Sequence, residues 1–346
     1  MRVSVIELGT VAPGSGEKQG LVDSVETARH ADAWGFHRVW FAEHHLSRTG
    51  ASHHPELLIA AAGTQTSGIR VGSGGVLMNH YSPFKVAEMF AQLEAMFPGR
   101  VDLGMGRATA GPVIDLALQR DRQRPLHADH QQQVLETLAW LYDAFPEDHP
   151  FAGKPLTPSV PEVPQTWLLG SSPDGSNLAA GLGIGYTFAG FITPTGAAAA
   201  LRNYRQQFRS KGFGPDQPRS MLAVNVTVAE TAAEARHLVG SAKGFYARLR
   251  RVGGDAQLPS AAEAARELTD ADKDQPTWIV DGRWPQFVAG DPDAVRATLE
   301  QMIDESQADE LMVQNLIADP LDRRHSHELL AQMFSLTPRQ VPTAVR

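Results

Sequence analysis

Short apolar runs rich in β-branched residues recur along the chain and alternate with segments of helical spacing. In 83–97, Pro83 suits a first helical turn, and Pro98 with Gly99 then stops the helix. Strands that alternate with helices predict parallel βαβ units, and eight such strands close a (β/α)8 TIM barrel. An open doubly wound sheet is the alternative. The predicted strands are 3–8, 38–43, 70–77, 101–106, 166–170, 186–191, 221–229 and 310–316.

The longest interval without a predicted strand follows the seventh strand. We interpret residues 1–346 as one domain and residues 240–287 as an insertion after strand seven. Insertions on this side of a barrel commonly cover its site, and Trp278, Trp284 and Phe287 could exclude water, so we predict a lid. The alternative is a surface excursion whose tryptophans pack on the outer helices.

Composition excludes several classes of protein. The chain has 346 residues, of which 42% are hydrophobic, enough for a large core. A net charge of −8 argues against nonspecific binding to nucleic acid. The absence of cysteine removes disulfides, thiolate metal sites and a cysteine nucleophile. Without a long apolar segment or a signal-peptide pattern, we expect a cytoplasmic protein that does not span a membrane.

Candidate chemistry is concentrated at the carboxyl ends of the predicted strands, where barrel active sites lie. The second strand ends in Glu43, His44 and His45, and the pair His53-His54 follows. Neighbouring residues of a strand point to opposite sides, so His44 and His45 do not readily bind one metal ion. We therefore predict no metal site and expect proton transfer by a histidine. A purely structural role for all four histidines is the alternative.

The fifth predicted strand leads through small hydroxyl residues into a helix. Backbone amides at the start of a helix favour an anion, and Ser171, Ser172 and Ser176 add hydroxyl donors. This pattern indicates an anion site, whereas the alternative is an ordinary helix cap without a ligand.

Several of these segments together resemble the bacterial-luciferase-like family of flavin-dependent monooxygenases. The similar segments are "RVWFAEHH", "HHPELLIAAAGTQTSGIRVGSGGVLMNHYSPFKVAEMFAQLEAMFPGRVDLGMGRA" and "WLLGSSPDGSNLAAGLG". They occur in the order and spacing of the family, from residue 1 to about 230, and the similarity resumes near 288. The resemblance implies a (β/α)8 barrel that binds reduced flavin mononucleotide (FMN) and activates oxygen. Residues 240–287 match no family pattern and leave the substrate open.

The resemblance also implies roles for individual residues. His44 matches the family's catalytic histidine, and Glu43 is expected to orient a backbone group or a histidine. Gly74-Gly75 matches a cis peptide bond beneath the flavin, where other members have a different pair of small residues. Arg107 matches an arginine near the flavin. The implied phosphate donors are Ser171, Ser172 and Ser176.

The leading hypothesis is therefore a monooxygenase that uses reduced FMN and O2 to oxygenate a small organic substrate. A deazaflavin-dependent hydride-transfer enzyme on the same barrel and a non-catalytic flavin-binding protein are the alternatives. The chain has no nicotinamide-binding fingerprint, so a separate flavin reductase is expected to supply reduced flavin. Relatives form homodimers, and the alanine-rich stretch "ELLIAAAGTQT" suits close helix packing.

Overall fold

Ten parallel strands form the framework of the molecule in the part of the chain that the computed structural model describes, residues 1–107, 111–119, 123 and 129–339. The strands are β1 (Arg2–Glu7), β2 (Arg38–Phe41), β3 (Arg70–Ser73), β4 (Val76–Leu77), β5 (Val101–Gly106), β6 (Gln165–Gly170), β7 (Gly185–Ala189), β8 (Ser220–Val228), β9 (Phe287–Gly290) and β10 (Glu310–Gln314).

Eight of these strands close into a barrel. Hydrogen-bonded neighbours follow the order β10-β1-β2-β3-β5-β6-β7-β8, and β8 pairs back with β10 from Met221 opposite Glu310 to Asn225 opposite Gln314. The remaining two are accessory, because β4 continues β3 and pairs with β5, while β9 pairs with the end of β8. The predicted (β/α)8 barrel is confirmed.

Helices connect the strands and surround the barrel. They are α1 (Glu17–Trp34), α2 (Pro55–Gln65), α3 (Pro83–Met96), α4 (Pro112–Leu118), α5 (His130–Leu141), α6 (Pro173–Leu182), α7 (Ala197–Gln207), α8 (Ala232–Val252), α9 (Ala261–Glu267), α10 (Asp270–Lys273), α11 (Pro292–Ser306) and α12 (Pro320–Met333). The insertion after the seventh barrel strand is confirmed, since α8 to α11 and β9 all lie between β8 and β10.

The core has two layers, one between the strands and the helices and one inside the barrel. Strand alternation directs the inner set toward the barrel axis, and this set comprises Ile6, Trp40, Ala42, Trp167, Met221, Ala223 and Met312. Nearer the amino ends of the strands, the buried guanidinium of Arg38 donates to Asp102 at 2.6 Å and to Glu310 at 2.7 Å. Because side chains fill the barrel up to this level, a ligand site inside it has to lie at the carboxyl ends.

Among the described residues, no helix combines the length and the apolar character that crossing a membrane requires.

Candidate functional site

His44 lies at the carboxyl end of β2, where the main chain holds it from both sides. Its amide donates to the carbonyl of Ser52 at 2.8 Å, and its own carbonyl accepts from Nδ1 of His53 at 2.6 Å. His44 lies three residues beyond the end of β2, on the carboxyl side of the inward-facing Trp40 and Ala42. The ring is accessible there, as a reacting group must be.

The protonation state of His44 differs from that of a free histidine. Although the ring is accessible from the mouth, protein surrounds it closely, and desolvation lowers its pKa to about 4, with His45 and His53 contributing in the same direction. The ring is therefore neutral at neutral pH and can accept a proton at its unprotonated nitrogen. A neutral imidazole suits a base or a hydrogen-bonding group better than a cationic acid.

The other histidines of the two pairs have separate partners. Nε2 of His45 lies 2.7 Å from Oε1 of Glu43, and because a carboxylate only accepts, this nitrogen is the donor. His54 is exposed and lies 3.6 Å from Glu56. In the described part of the chain, no group of three or more acidic, histidine or cysteine side chains is arranged to hold a metal ion.

Gly74 and Gly75 form the next part of the site, and the peptide bond between them is cis, as the resemblance implies. Both are half-buried, whereas residues 71–73 and 76–78 are buried, so this short backbone segment is open at the mouth. A Cβ on Gly74 would lie 2.9 Å from Cδ1 of Ile6, and one on Gly75 would lie 2.8 Å from the carbonyl oxygen of Gly104. The backbone therefore rests directly on the barrel core.

The predicted phosphate side lies at the ends of β5 and β6. Arg107 directly follows β5 and is exposed, and its carbonyl accepts from Nδ2 of Asn79 at 3.1 Å. Ser172 is the N-cap of α6, yet among the described residues no side chain caps this helix. Ser171 and Ser172 are half-buried beside the uncapped amides. This arrangement can accept an anion from outside the chain.

Ser176 is a correction to the sequence-based assignment. It is buried within α6, and its hydroxyl donates to the carbonyl of Pro173 at 2.8 Å and accepts from Nδ2 of Asn203 at 3.3 Å. A serine in the first turns of a helix can bond backward to its own helix, and Ser176 does so instead of facing a ligand. Ser171 and Ser172 therefore remain as the candidate phosphate donors.

The insertion contacts the barrel near the carboxyl ends of several strands. Tyr246 of α8 donates to the carbonyl of Phe191 at 3.0 Å, and Nδ2 of Asn225 donates to the carbonyl of Gln286 at 3.1 Å. Above the ends of β1 and β10, an apolar cluster joins α8 to the barrel, with Leu8 packed against it. Its buried members are Val239, Ala242, Leu258, Phe287, Leu316 and Ala318.

Sequence reasoning missed Tyr246, because nothing in the pattern of α8 separates this tyrosine from a core residue. It also assigned Trp284 to a lid, which the structure corrects. The indole of Trp284 packs with the outer hydrophobic cluster and donates to Glu305 at 2.7 Å. Glu305 lies at the end of α11, just before β10 begins, so Trp284 lies away from the carboxyl ends of the strands.

Comparisons with known proteins show the family to which the chain belongs. The profile of a family described as luciferase-like monooxygenase matches residues 1–310. A luciferase-like monooxygenase of Escherichia coli K12 is 32% identical over 94% of this chain and 95% of its own length. An N-acetyl-S-alkylcysteine monooxygenase of Bacillus subtilis is 30% identical over 96% of this chain and 97% of its own length. The chain belongs to the luciferase-like monooxygenase family.

Solved structures support the fold. The crystal structure of apo-MsnO8 superposes with a TM-score of 0.88 at 39% identity, covering 98% of this chain and 99% of that one. Two more distant structures share the fold alone and differ in cofactor. The oxygenating constituent of 3,6-diketocamphane monooxygenase from a Pseudomonas putida plasmid is in complex with FMN (TM-score 0.70, 22% identity, 96% and 97% coverage). The other is an F420-dependent secondary alcohol dehydrogenase (TM-score 0.67, 16% identity, 94% and 97% coverage).

Proposed function

We propose that this protein is a monooxygenase that binds reduced FMN and uses O2 to oxygenate a small organic substrate. The observation that carries the proposal is the uncapped start of α6 beside Ser171 and Ser172, on the same barrel rim as His44. An oxidoreductase of this family that uses a nucleotide cofactor needs a site that binds a phosphate group and a side chain that accepts a proton, both at the same end of the barrel.

The donor set fits FMN. Uncapped helix amides with two hydroxyls complement a phosphate, and Arg107 adds a cation on the same rim. The open backbone of Gly74 and Gly75 offers a flat surface without side chains for an aromatic ring. When bound, reduced FMN would supply the electrons that activate O2.

His44 is the residue we propose for proton transfer. Its ring is neutral because desolvation by the surrounding protein lowers its pKa to about 4, so it can take a proton from substrate at the unprotonated ring nitrogen. The insertion supports this chemistry by covering the mouth beside Phe191 and Leu8, which would limit access of water. We propose that α8 and residues 256–258, and not Trp284, form this cover.

A deazaflavin-dependent hydride transfer is the second candidate, favoured by the shared fold of the F420-dependent alcohol dehydrogenase. A third candidate is a protein that stores flavin without catalysis. Titration of the purified protein with FMN and with F420 separates the first two, and oxygen consumption with reduced FMN separates the first from the third. A screen of aldehydes, sulfonates, amines and S-alkylcysteines would then identify the substrate class.

The phosphate assignment has its own test. FMN should bind more tightly than riboflavin. Ser171→Ala and Ser172→Ala should each lower the affinity for FMN by about 10-fold, since a hydrogen bond to a charged group contributes about 1.5–3 kcal/mol. Ser176→Ala is the matched control and should leave FMN affinity unchanged, because this hydroxyl is turned into its own helix. Equal binding of FMN and riboflavin by the parent protein would remove the phosphate site.

We further propose a homodimer and a separate flavin reductase. A groove of about 480 Å³ between α1 and α2 is lined mainly by apolar side chains, and the exposed Leu21, Val22 and Leu57 lie along it. Exposed apolar surface of this kind supports an interface. Sedimentation equilibrium tests the dimer. If a reductase is needed only as a source of reduced flavin, the protein should be active with FMN that has been reduced chemically.

A further inference from the structure

We propose that Glu43 is a positioning residue that fixes the catalytic His44 relative to the Gly74–Gly75 backbone. Glu43 directly precedes His44, and its carboxylate reaches the segment that directly follows the two glycines. The inference rests on the proposed function for its kinetic consequence, but its geometric basis does not depend on that function.

The backbone ladder between these two segments stops below the site. β2 pairs with β3 only as far as Phe41 opposite Ser73, and one further bond runs from the amide of Gly74 to the carbonyl of Phe41, at 2.7 Å. Beyond Gly75 the chain turns to β5, with Leu77 opposite Gly106. The usual inter-strand bonds therefore no longer connect the end of β2 to this segment.

The side chain of Glu43 replaces the missing connection. Its Oε2 accepts from the amide of Leu77 at 2.9 Å, and its Oε1 accepts from the hydroxyl of Tyr81 at 3.1 Å. Nε2 of His45 donates to the same Oε1 at 2.7 Å. With 4% of its surface exposed, the Glu43 side chain accepts from three donors where it is itself shielded from water, and such bonds are strongest there.

The three donors lie on two sides of the site. Leu77 and Tyr81 come after Gly74 and Gly75 in the sequence, whereas His45 comes directly after His44. One carboxylate therefore joins the segment that follows the two glycines to the segment that contains His44. Burial and the charge of Glu43 raise the pKa of Tyr81, which keeps this hydroxyl protonated as a donor. A displacement of about 1 Å at a reacting group can cost about 100-fold in rate, so loosening this connection should slow the reaction.

Two substitutions distinguish positioning from a direct role of the negative charge. Glu43→Leu keeps the approximate volume and removes every acceptor, and we expect kcat at saturating reduced FMN to fall about 100-fold with little change in FMN affinity. Glu43→Gln keeps an oxygen for the amide of Leu77, and we expect it to recover most of this loss. Glu56→Gln is the control, because Glu56 is a half-buried carboxylate nearby whose ion pair is with the exposed His54.

A second measurement does not require turnover. In the flavin-free protein, the ring resonances of His44, assigned by their loss in His44→Gln, should move in Glu43→Leu and remain near the parent values in Glu56→Gln. If the parent protein fails to oxygenate any substrate, the proposed function fails, and these resonances still test the position of His44.

Several outcomes would overturn the positioning role. The first is that kcat and the His44 resonances of Glu43→Leu match those of the parent. The second is that kcat falls as much in Glu43→Gln as in Glu43→Leu. The third is that Glu43→Leu loses as much FMN affinity as kcat. If Glu43→Leu does not fold, Tyr81→Phe replaces it, since it removes one donor and leaves Leu77 in place. Parent-like kcat and resonances in Tyr81→Phe would then equally contradict the proposal.

Discussion

At the scale of single residues, the environment of His44 decides its chemistry more than its residue type does. A free histidine titrates near neutrality, which first suggests a group that exchanges protons in both directions. Desolvation at the end of β2 lowers its pKa to about 4 and leaves the ring neutral, while Ser52 and His53 hold the main chain of His44. The ring is therefore ready to accept a proton over the whole physiological range of pH.

We predict that His44→Ala keeps the fold and FMN binding but lowers oxygenation by about 10²- to 10⁴-fold, the usual contribution of an acid–base group. Product formation at saturating reduced FMN measures the effect. His54→Ala is the appropriate control, because His54 is exposed, whereas His53 bonds to the carbonyl of His44 and could disturb it. Product formation near the parent rate in His44→Ala would exclude the role.

At the scale of elements, the connection between α8 and the barrel decides whether the insertion can cover the site. Tyr246 joins the helix to the end of β7 through the carbonyl of Phe191, and Thr49 joins the loop after β2 to the carbonyl of Ala256 at 2.7 Å. The insertion is therefore attached to the barrel on two sides of the mouth.

We predict that Tyr246→Phe loosens α8, because it removes the hydroxyl that bonds to the carbonyl of Phe191, and one such hydrogen bond contributes about 1 kcal/mol. Amide hydrogen exchange in residues 240–252 should speed up by about fivefold, and more of the consumed oxygen should appear as hydrogen peroxide instead of product. Tyr142→Phe is the control at the other end of the barrel, where its hydroxyl bonds to Thr166. Unchanged exchange in α8 would show that Tyr246 does not hold the cover.

At the scale of the whole molecule, buried histidines make stability depend on pH. His327 of α12 is 4% exposed, and burial lowers its pKa to about 3, with Arg323 contributing in the same direction. The unfolded chain binds this proton near pH 6.5, so stability is complete above pH 6.5 and is lost as the pH falls toward 3. Desolvation lowers the pKa of His37 to about 4, which has the same sign.

We predict that His327→Gln reduces the acid sensitivity of folding. Between pH 6 and pH 4, the slope of the unfolding free energy against pH should decrease by about 1.4 kcal/mol per pH unit, the free energy that corresponds to one proton. Urea denaturation at several pH values measures this slope. The exposed His325 provides the control variant, His325→Gln, and an identical slope in both variants would contradict the assignment.

The sequence by itself determined the barrel, the family and the end of the barrel where the chemistry lies. Strand and helix periodicity are local properties, and parallel strands that close a barrel bring their carboxyl ends together. For the same reason, His44, Gly74, Gly75 and Arg107 could be placed at strand ends without a structure. The helix start at Ser171 and Ser172 could be recognised because a serine followed by a proline is a local signal for the start of a helix.

Only the tertiary structure decided which side chains at that end meet. Ser176 bonds back to its own helix, and Trp284 packs on the outer layer, because the direction of a side chain depends on its packed surroundings. The contact between Glu43 and Leu77 likewise follows from the way the chain leaves β3 for β5, which no local pattern encodes. Contacts between residues distant in sequence exist only once the barrel has closed. The desolvation that lowers the pKa of His44 arises at that same step.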